Sequence, residues 1–227
     1  MKRLPFLFLL MSLLTIDIAS AQTKSADGYL SLFDGKTLNG WRKAAHDTAP
    51  DKAWVVHNGE LSFDPAIGHG GDIVTKKTFK DFDLSVDFKV SEGGNSGIKY
   101  RLLPNTSLGC EFQLIDDSKH PDAKLGINGD RKTGALYDIF PPAENKPYKP
   151  AGEWNTARIV VKGDHVEHWL NGTKILEYTR GSEPYKQAIA ASKFKTTKGF
   201  GEAVSSPILL QAHGDKITYK NIKIKEL

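Results

Sequence analysis

The sequence has few of the features that cross-link, anchor or strongly charge a protein. Its 227 residues include one cysteine, Cys110, which has no partner for an internal disulfide and does not lie at a lipoprotein cleavage site. The formal net charge of +4 is too small to indicate a nucleic-acid-binding protein. After the N-terminal segment, no apolar run is long enough to cross a bilayer. These absences argue against a disulfide-stapled scaffold, a nucleic-acid partner and a membrane span in the mature chain.

The N-terminus has the three parts of a secretory signal peptide. A basic start precedes the apolar run 4–14, and a small-x-small cleavage signal follows at 19–21. Because the apolar run is too short for a membrane span, we expect residues 1–21 to be removed and the protein to be exported, periplasmic or secreted. Cleavage removes two cations and one acid, which lowers the formal charge from +4 to +3.

Short stretches that alternate between apolar and polar residues predict an all-β protein. Turn signals such as Asn58-Gly59, typical of a type I′ hairpin, separate several of them. Helical periodicity is weak and confined to the region around 185–191, and no βαβ alternation is present. We therefore expect residues 22–227 to form a single antiparallel two-sheet sandwich. The predicted strands are 54–57, 60–63, 82–90, 97–102, 110–115, 156–162, 165–170, 174–179, 207–212 and 217–225.

The strand 110–115 has one apolar and one polar face. Its even-numbered residues are apolar, so Glu111 and Gln113 share the opposite face. Strict alternation would bury Asp116, and an unpaired buried carboxylate is costly. Either a bulge near 114–115 rotates Asp116 onto the face of Glu111, or the strand ends and Asp116 begins a turn that leads to His120.

Two further strands carry polar side chains at alternate positions. Lys99 and Arg101 share one face of their strand, and Gln211 and His213 share one face of theirs. Long cations also fit a solvated strand face, and His213 before a Gly-Asp pair also fits a turn. If the three polar faces belong to one sheet, they form a groove that contains acids, amides, cations and an imidazole.

Other prominent residues fit structural roles. His168 alternates with apolar neighbours, so we expect it to be a hydrogen-bonded core residue. Trp41 and Trp54 fit core positions, as most tryptophans do. The proline-rich loop 140–152 fits a surface crossover.

Six sequence blocks resemble the bacterial 3-keto-disaccharide hydrolase family, and they span nearly all of the mature chain in the family's order. They are LFDGKTLNGW (32–41), GNSGIKYR (94–101), GCEFQLIDD (109–117), TGALYD (133–138), EWNTARIVVKGDHVEHWLNG (153–172) and PILLQAHGDKITYKNIKIKEL (207–227). The resemblance implies a concanavalin A-like, laminarinase-like jelly roll and export in glycan-degrading bacteria. It also implies a small carbohydrate partner and cleavage of the glycosidic bond in sugars oxidised to a ketone at C3.

That reaction sets three chemical requirements. The ketone acidifies the hydrogen on C2, a base removes it, the enolate expels the anomeric group, and water adds to the unsaturated sugar. The site needs a base near C2, a stabiliser for the enolate oxygen and an acid for the leaving oxygen. The candidates are Glu111 or His213 as the base, Lys99 or Arg101 as the stabiliser, and Asp116 or His120 as the acid.

Substrate contacts are predicted for the remaining polar-face residues and one aromatic residue. These are Lys99, Arg101, Gln113, Gln211 and Tyr137. A divalent metal ion is an alternative stabiliser of the enolate, although no ligand spacing in the sequence identifies its site.

A conventional glycosidase is one rival interpretation. Glu111-x-Gln113-x-x-Asp116 is similar to the E-x-D-x-x-E strand of laminarinase-type retaining glucanases. That mechanism needs carboxyl groups about 5 to 5.5 Å apart, whereas five strand residues span roughly 16 Å. The two carboxylates would meet only through a bulge, which makes this interpretation less favoured.

A carbohydrate-binding module is the second rival, because it shares the fold. Such a module would rely on an aromatic platform, for which Trp154 and Tyr137 are candidates. Convergence of Glu111, Asp116 and His213 in one pocket would favour an enzyme instead.

Overall fold

The computed structural model describes residues 24–227, so the predicted signal peptide at 1–21 lies outside the described residues. Two antiparallel sheets pack face to face around a large apolar core, and Val74, Leu102 and Leu209 form a small second cluster. The strands are β1 (Leu30–Ser31), β2 (Trp41–Lys43), β3 (Trp54–His57), β4 (Glu60–Phe63), β5 (Ile73–Thr75), β6 (Phe82–Val90), β7 (Asn95–Tyr100), β8 (Cys110–Ile115), β9 (Asn155–Lys162), β10 (His165–Leu170), β11 (Thr173–Thr179), β12 (Leu209–Leu210) and β13 (Ile217–Glu226). A 3₁₀ turn covers Pro121–Lys124, and the helix α1 covers Glu183–Ala191.

The larger sheet has the order β11-β10-β9-β6-β13-β4-β3, with β1 beside β13. The smaller sheet has the order β2-β5-β12-β7-β8. The three strands expected to share a polar face, β7, β8 and β12, are therefore neighbours in one sheet. The prediction of an antiparallel two-sheet sandwich is confirmed.

The β3–β4 hairpin shows how local sequence sets the register. Asn58 and Gly59 have φ angles of 49° and 79°, which are the left-handed values that a type I′ turn requires at both central positions. The turn pairs Trp54 with Phe63, and both side chains enter the core. Trp41 is also in the core, as expected.

His168 is fully buried and hydrogen-bonded, as predicted. Its Nε2 lies 2.7 Å from the hydroxyl of Tyr100, and its Nδ1 lies 2.9 Å from the carbonyl oxygen of Gly134. Burial lowers the pKa of His168 to about 4, so the imidazole is neutral at neutral pH. The residue ties the two sheets together through a polar contact inside the core.

The strands absent from the sequence prediction are short. β1, β2 and β5 have two or three residues each, too few for alternation to be visible. The strand expected at 207–212 is reduced to β12. Some amides that flank it bond to side chains: the amide of Ile208 donates to the hydroxyl of Thr75, and that of Ala212 donates to Asp72. Among residues 24–227, none of the helices has both the length and the apolar character needed to span a membrane.

Candidate active site

A buried ion pair lies on the polar face of the smaller sheet, which we define as the face turned away from the core. Lys99 on β7 and Glu111 on β8 are direct cross-strand partners. The Lys99 ammonium lies 3.4 Å from Glu111 Oε2 and also donates to the carbonyl oxygen of Ser107 at 3.4 Å. Each residue is 8% exposed. Their alternate neighbours Ile98 and Phe112 enter the core, which confirms the predicted sorting of the two faces.

Glu111 is an unusually basic carboxylate. Burial raises its pKa above the ordinary value, and this effect outweighs the attraction of Lys99, Lys193 and His213. A carboxylate with a raised pKa accepts a proton more readily, which suits a general base.

Gly97 makes room for this carboxylate. An ideal β-carbon at Gly97 would lie 2.1 Å from Glu111 Oε1 and 2.7 Å from its carboxyl carbon. The glycine does not have a positive φ, so its role here is space and not backbone conformation. The Glu111 carboxyl group therefore lies flat against the β7 backbone.

Tyr137 lies on one side of Glu111 and is held by a charged network. Its hydroxyl donates to Asp122 at 2.8 Å. Arg131 donates to Asp122 and to Asp138, each at 2.7 Å. Burial, together with the bond to Asp122 and the charge of Glu111, raises the pKa of Tyr137. Tyr137 is thus a neutral hydrogen-bonding aromatic residue beside the base.

Two histidines lie near the same face. The imidazole rings of His120 and His213 are 6.3 Å apart and nearly perpendicular. His120 Nε2 lies 4.0 Å from Asp215 Oδ2, and His120 Nδ1 accepts the amide hydrogen of Asp122 at 3.1 Å. His213 is exposed and acts electrostatically on Glu111. The charge of His213 therefore reaches Glu111, and His120 lies beside His213.

Asp116 does not join them, and the bulge that would have placed it there is absent. The β7–β8 register is continuous to the Asn95–Ile115 pair, so the strand ends at Ile115. The Asp116 carboxylate accepts hydrogen bonds from the amides of Gly93 and Ser118, and from the Ser118 hydroxyl at 2.6 Å.

The environment of Asp116 keeps it ionised. Burial acts to raise its pKa, but the bonds from Gly93, Ser118 and Lys119 lower it overall. A carboxylate that is deprotonated and occupied by turn donors is poorly suited to protonate a leaving group. Its prediction as the acid is corrected to a turn-forming role, the second alternative drawn from the sequence.

The prediction that Arg101 shares the face of Lys99 is also wrong. β7 ends at Tyr100, and Arg101 has a φ of 50°, which breaks the strand alternation. Its guanidinium donates hydrogen bonds to the carbonyl oxygens of Gly163 and Ala203. The distance to the Ala203 oxygen is 3.0 Å. Arg101 therefore ties the smaller sheet to the β9–β10 hairpin, away from the base.

The two amides predicted to bind substrate differ in exposure. Gln113 is 1% exposed and accepts the amide hydrogen of Leu114, so it lies beneath the surface. Gln211 is partly exposed, and its Oε1 has no hydrogen-bond partner among the described residues. Asn95 Oδ1 also has no hydrogen-bond partner among the described residues. The Gln211 Oε1 atom is itself buried, so Gln211 holds an unpaired acceptor beneath a partly exposed side chain.

The second aromatic candidate lies elsewhere. The ammonium groups of Lys89 and Lys220 lie over the Trp154 ring, 4.7 and 4.0 Å from its centroid. Both lysines lie on strands of the larger sheet, β6 and β13. Trp154 is therefore not a platform beside Glu111.

Sequence reasoning missed Lys193, Asp122 and Arg131. All three lie outside strands, where alternation carries no information, and they meet only through tertiary contacts. Gly97 was visible in the sequence as a glycine inside a strand pattern, which often indicates a close approach of another group.

Residues that could hold a metal ion are found in one compact group within residues 24–227. These are His165, Glu167 and Glu177, whose ligand atoms lie within 4.8 Å of one another. They lie on β10 and β11 of the larger sheet, where Glu167 already bonds to Trp169 and Lys174. The divalent metal considered for the enolate stays a prediction.

The comparisons identify the family. A family model described as the 3-keto-alpha-glucoside-1,2-lyase-like domain matches residues 28–225. A Bacteroides thetaiotaomicron protein named 3-keto-disaccharide hydrolase is 38% identical over 89% of this chain and 79% of that protein. The chain belongs to this family. The resemblance predicted from the sequence blocks is confirmed.

Solved structures agree with this 3-keto-alpha-glucoside-1,2-lyase-like assignment. A Parabacteroides distasonis ATCC 8503 protein assigned as a glycosyl hydrolase has a TM-score of 0.80 at 35% identity, covering 89% of this chain and 95% of that one. A second protein of that strain has a TM-score of 0.65 at 26% identity, covering 88% and 99%. A Bacillus licheniformis β-glucanase, at 12% identity and a TM-score of 0.50 over 88% and 97%, shows the fold alone. The expected jelly roll is confirmed.

Proposed function

We propose that this protein cleaves the glycosidic bond of 3-keto-disaccharides by removing the C2 proton, eliminating the anomeric group and hydrating the product. The observation that carries the proposal is Glu111, a buried carboxylate of raised pKa that forms an ion pair with Lys99 and is acted on by the charges of Lys193 and His213. Such a base is matched to a carbon acid that a neighbouring ketone has activated. Family membership supplies the substrate class, because the relative from B. thetaiotaomicron is named 3-keto-disaccharide hydrolase.

The other groups take the remaining roles in this proposal. Lys99 lowers the pKa of Glu111 against the larger effect of burial, and its ion pair orients the carboxylate. His120 or His213 supplies the proton for the leaving oxygen, since histidine is the side chain most often used as a general acid. Gln211 and Tyr137 are assigned to contacts with sugar hydroxyls. Water then adds its hydroxyl to C1 and its proton to C2.

The two rival functions lose their main support. A retaining glycosidase requires a second carboxylate near Glu111. The Asp116 carboxylate instead accepts hydrogen bonds from Gly93 and Ser118 within the turn. A binding module of the kind expected requires an exposed aromatic platform. The Trp154 ring is instead covered by the ammonium groups of Lys89 and Lys220, which belong to the larger sheet. The elimination mechanism needs only one carboxylate and nearby cations.

Export is a further part of the proposal. It rests on the signal-peptide pattern in residues 1–21. Expression of the full chain in a bacterial host, followed by fractionation and N-terminal sequencing, tests it. We expect a mature N-terminus at Gln22 outside the cytoplasm; an uncleaved cytoplasmic protein would contradict export.

The function is tested by incubation with 3-keto-trehalose and 3-keto-lactose beside the unoxidised sugars, with and without chelator. We expect cleavage of the oxidised sugars only. Equal cleavage of an unoxidised disaccharide would support the glycosidase, and binding without cleavage would support the module. Loss of turnover with chelator, restored by a divalent cation, would assign a metal to the site.

A further inference from the structure

The structure contains a second cation beside Glu111 that is not used in an ion pair. Lys99 is buried, and its ammonium contacts both the Glu111 carboxylate and the carbonyl oxygen of Ser107. Lys193 is exposed, and its ammonium forms no ion pair with any residue in the described part of the chain. Its charge nevertheless acts on Glu111. A cation close to the base and open to solvent is available to a substrate.

Lys193 is held in place at both its backbone and its side chain. Its amide donates to Asp138 at 2.7 Å, and Asp138 is fixed by Arg131. Its ammonium lies 4.1 Å from the centroid of the Tyr137 ring, within the range of a cation–π interaction. A positioned ammonium loses less entropy on binding an anion than a freely rotating one.

The surroundings of Lys193 also permit access. With Arg131 and Asp138 it lines an open groove of about 320 Å³, which Glu111 and Tyr137 do not line. Desolvation lowers the pKa of its ammonium, against the attraction of Glu111 and Asp138. A partly desolvated ammonium interacts more strongly with a developing negative charge than one in bulk water.

We propose that Lys193 is a catalytic residue that binds the C3 oxygen of the substrate and stabilises the enolate formed there. This inference rests on the proposed function. When Glu111 takes the C2 proton, the C2–H electron pair forms the C2–C3 double bond and the carbonyl pair moves onto the C3 oxygen. The Lys193 ammonium donates a hydrogen bond to that oxygen. The electrons then return to form the C1–C2 double bond as the C1–O bond breaks.

The test separates enolisation from departure of the leaving group. A 3-keto sugar without an anomeric substituent, 1-deoxy-3-keto-glucose, cannot eliminate, but its C2 proton can exchange with deuterium oxide. Exchange on this compound and turnover of 3-keto-trehalose are measured for the wild-type protein, Lys193→Met and Lys193→Arg. Lys195→Met is the matched control, because Lys195 is an exposed lysine two positions away.

We expect Lys193→Met to lower enzyme-catalysed exchange and kcat by a similar factor, about 100-fold, the usual loss for one oxyanion donor. Lys193→Arg should recover part of both rates, and Lys195→Met should match the wild type. A loss of turnover with unchanged exchange, or a rise in KM alone, would overturn the proposal. Inactivity of the wild-type protein on every 3-keto sugar would overturn the proposed function, and this inference with it.

Discussion

Gly97 and Glu111 fit against each other across two neighbouring strands, with no space for a methyl group between them. A β-carbon at Gly97 would lie 2.1 Å from Glu111 Oε1, far inside van der Waals contact. The contact is specific to this face, since Ile98 on the next position points into the core. The position of the carboxylate is therefore set by the absence of a side chain.

Gly97→Ala is expected to displace the Glu111 carboxylate without unfolding the protein. A misplacement of about 1 Å at a reacting group costs on the order of 100-fold in rate. We expect kcat on a 3-keto-disaccharide to fall by roughly that factor, with thermal unfolding little changed. In a Glu111→Gln background the same substitution should cost no further activity; an additive loss would show that Gly97 acts independently of Glu111.

Glu111→Gln is expected to lower turnover strongly, to a residual rate, and to stabilise the fold at neutral pH. The variant removes the base, which is worth about 100- to 10,000-fold. Because the pKa of Glu111 is raised in the folded state, ionisation of this residue opposes folding as pH rises through that raised value. The variant should therefore unfold at a higher temperature than the wild type at pH 7, and this advantage should vanish below pH about 4.5.

Asp116→Asn is the matched control for that variant, since Asp116 is a second buried carboxylate on the same segment. Its pKa is lowered, so its charge stabilises the fold above the ordinary titration range of an aspartate. We expect Asp116→Asn to lose stability, by about 1 to 3 kcal/mol, while keeping most of kcat. If the folded Asp116→Asn protein lost as much activity as Glu111→Gln, Asp116 would be a catalytic residue and its assignment to the turn would be wrong.

Lys99→Met is expected to shift the pH dependence of activity. Lys99 is the largest of the charges that lower the pKa of Glu111, so its removal should raise that pKa further. The acidic limb of kcat/KM, below which Glu111 is protonated and inactive, should move to higher pH. An unchanged limb would indicate that another group controls it.

His168 is expected to make the fold sensitive to acid. Its pKa of about 4 lies below the unfolded value of about 6.5. As pH falls from 6.5 towards 4, the unfolded chain binds a proton that the folded chain does not, and stability drops by up to roughly 3 kcal/mol. His168→Gln should flatten this part of the curve of unfolding free energy against pH, although it lowers stability overall. An equally steep curve in the variant would contradict the assignment.

The sequence predicted the strands better than the site. Alternation placed Glu111, Lys99 and Gln211 on one face, because period two is a property of each strand alone. It failed for Arg101, where a positive φ ends the pattern, and for Asp116, where two alternatives were open.

Lys193, Asp122 and Arg131 could not be predicted by that route. Each lies in an irregular segment or turn, and each reaches the site through side-chain contacts that strand alternation does not predict. The Tyr137 ring, for example, contacts the Lys193 ammonium although Lys193 lies 56 positions further along the chain. Such contacts depend on the packing of the whole fold.

The fate of the C2 hydrogen tests the central claim most directly. Cleavage of a 3-keto-disaccharide is run in deuterium oxide, and the released 3-keto sugar is analysed at once by mass spectrometry and NMR. Samples of the free 3-keto sugar in buffer and with Glu111→Gln correct for spontaneous exchange. We predict one deuterium at C2 of the newly cleaved sugar, because hydration returns a solvent proton to that carbon. Retention of the original C2 hydrogen during cleavage by the wild-type protein would contradict the mechanism.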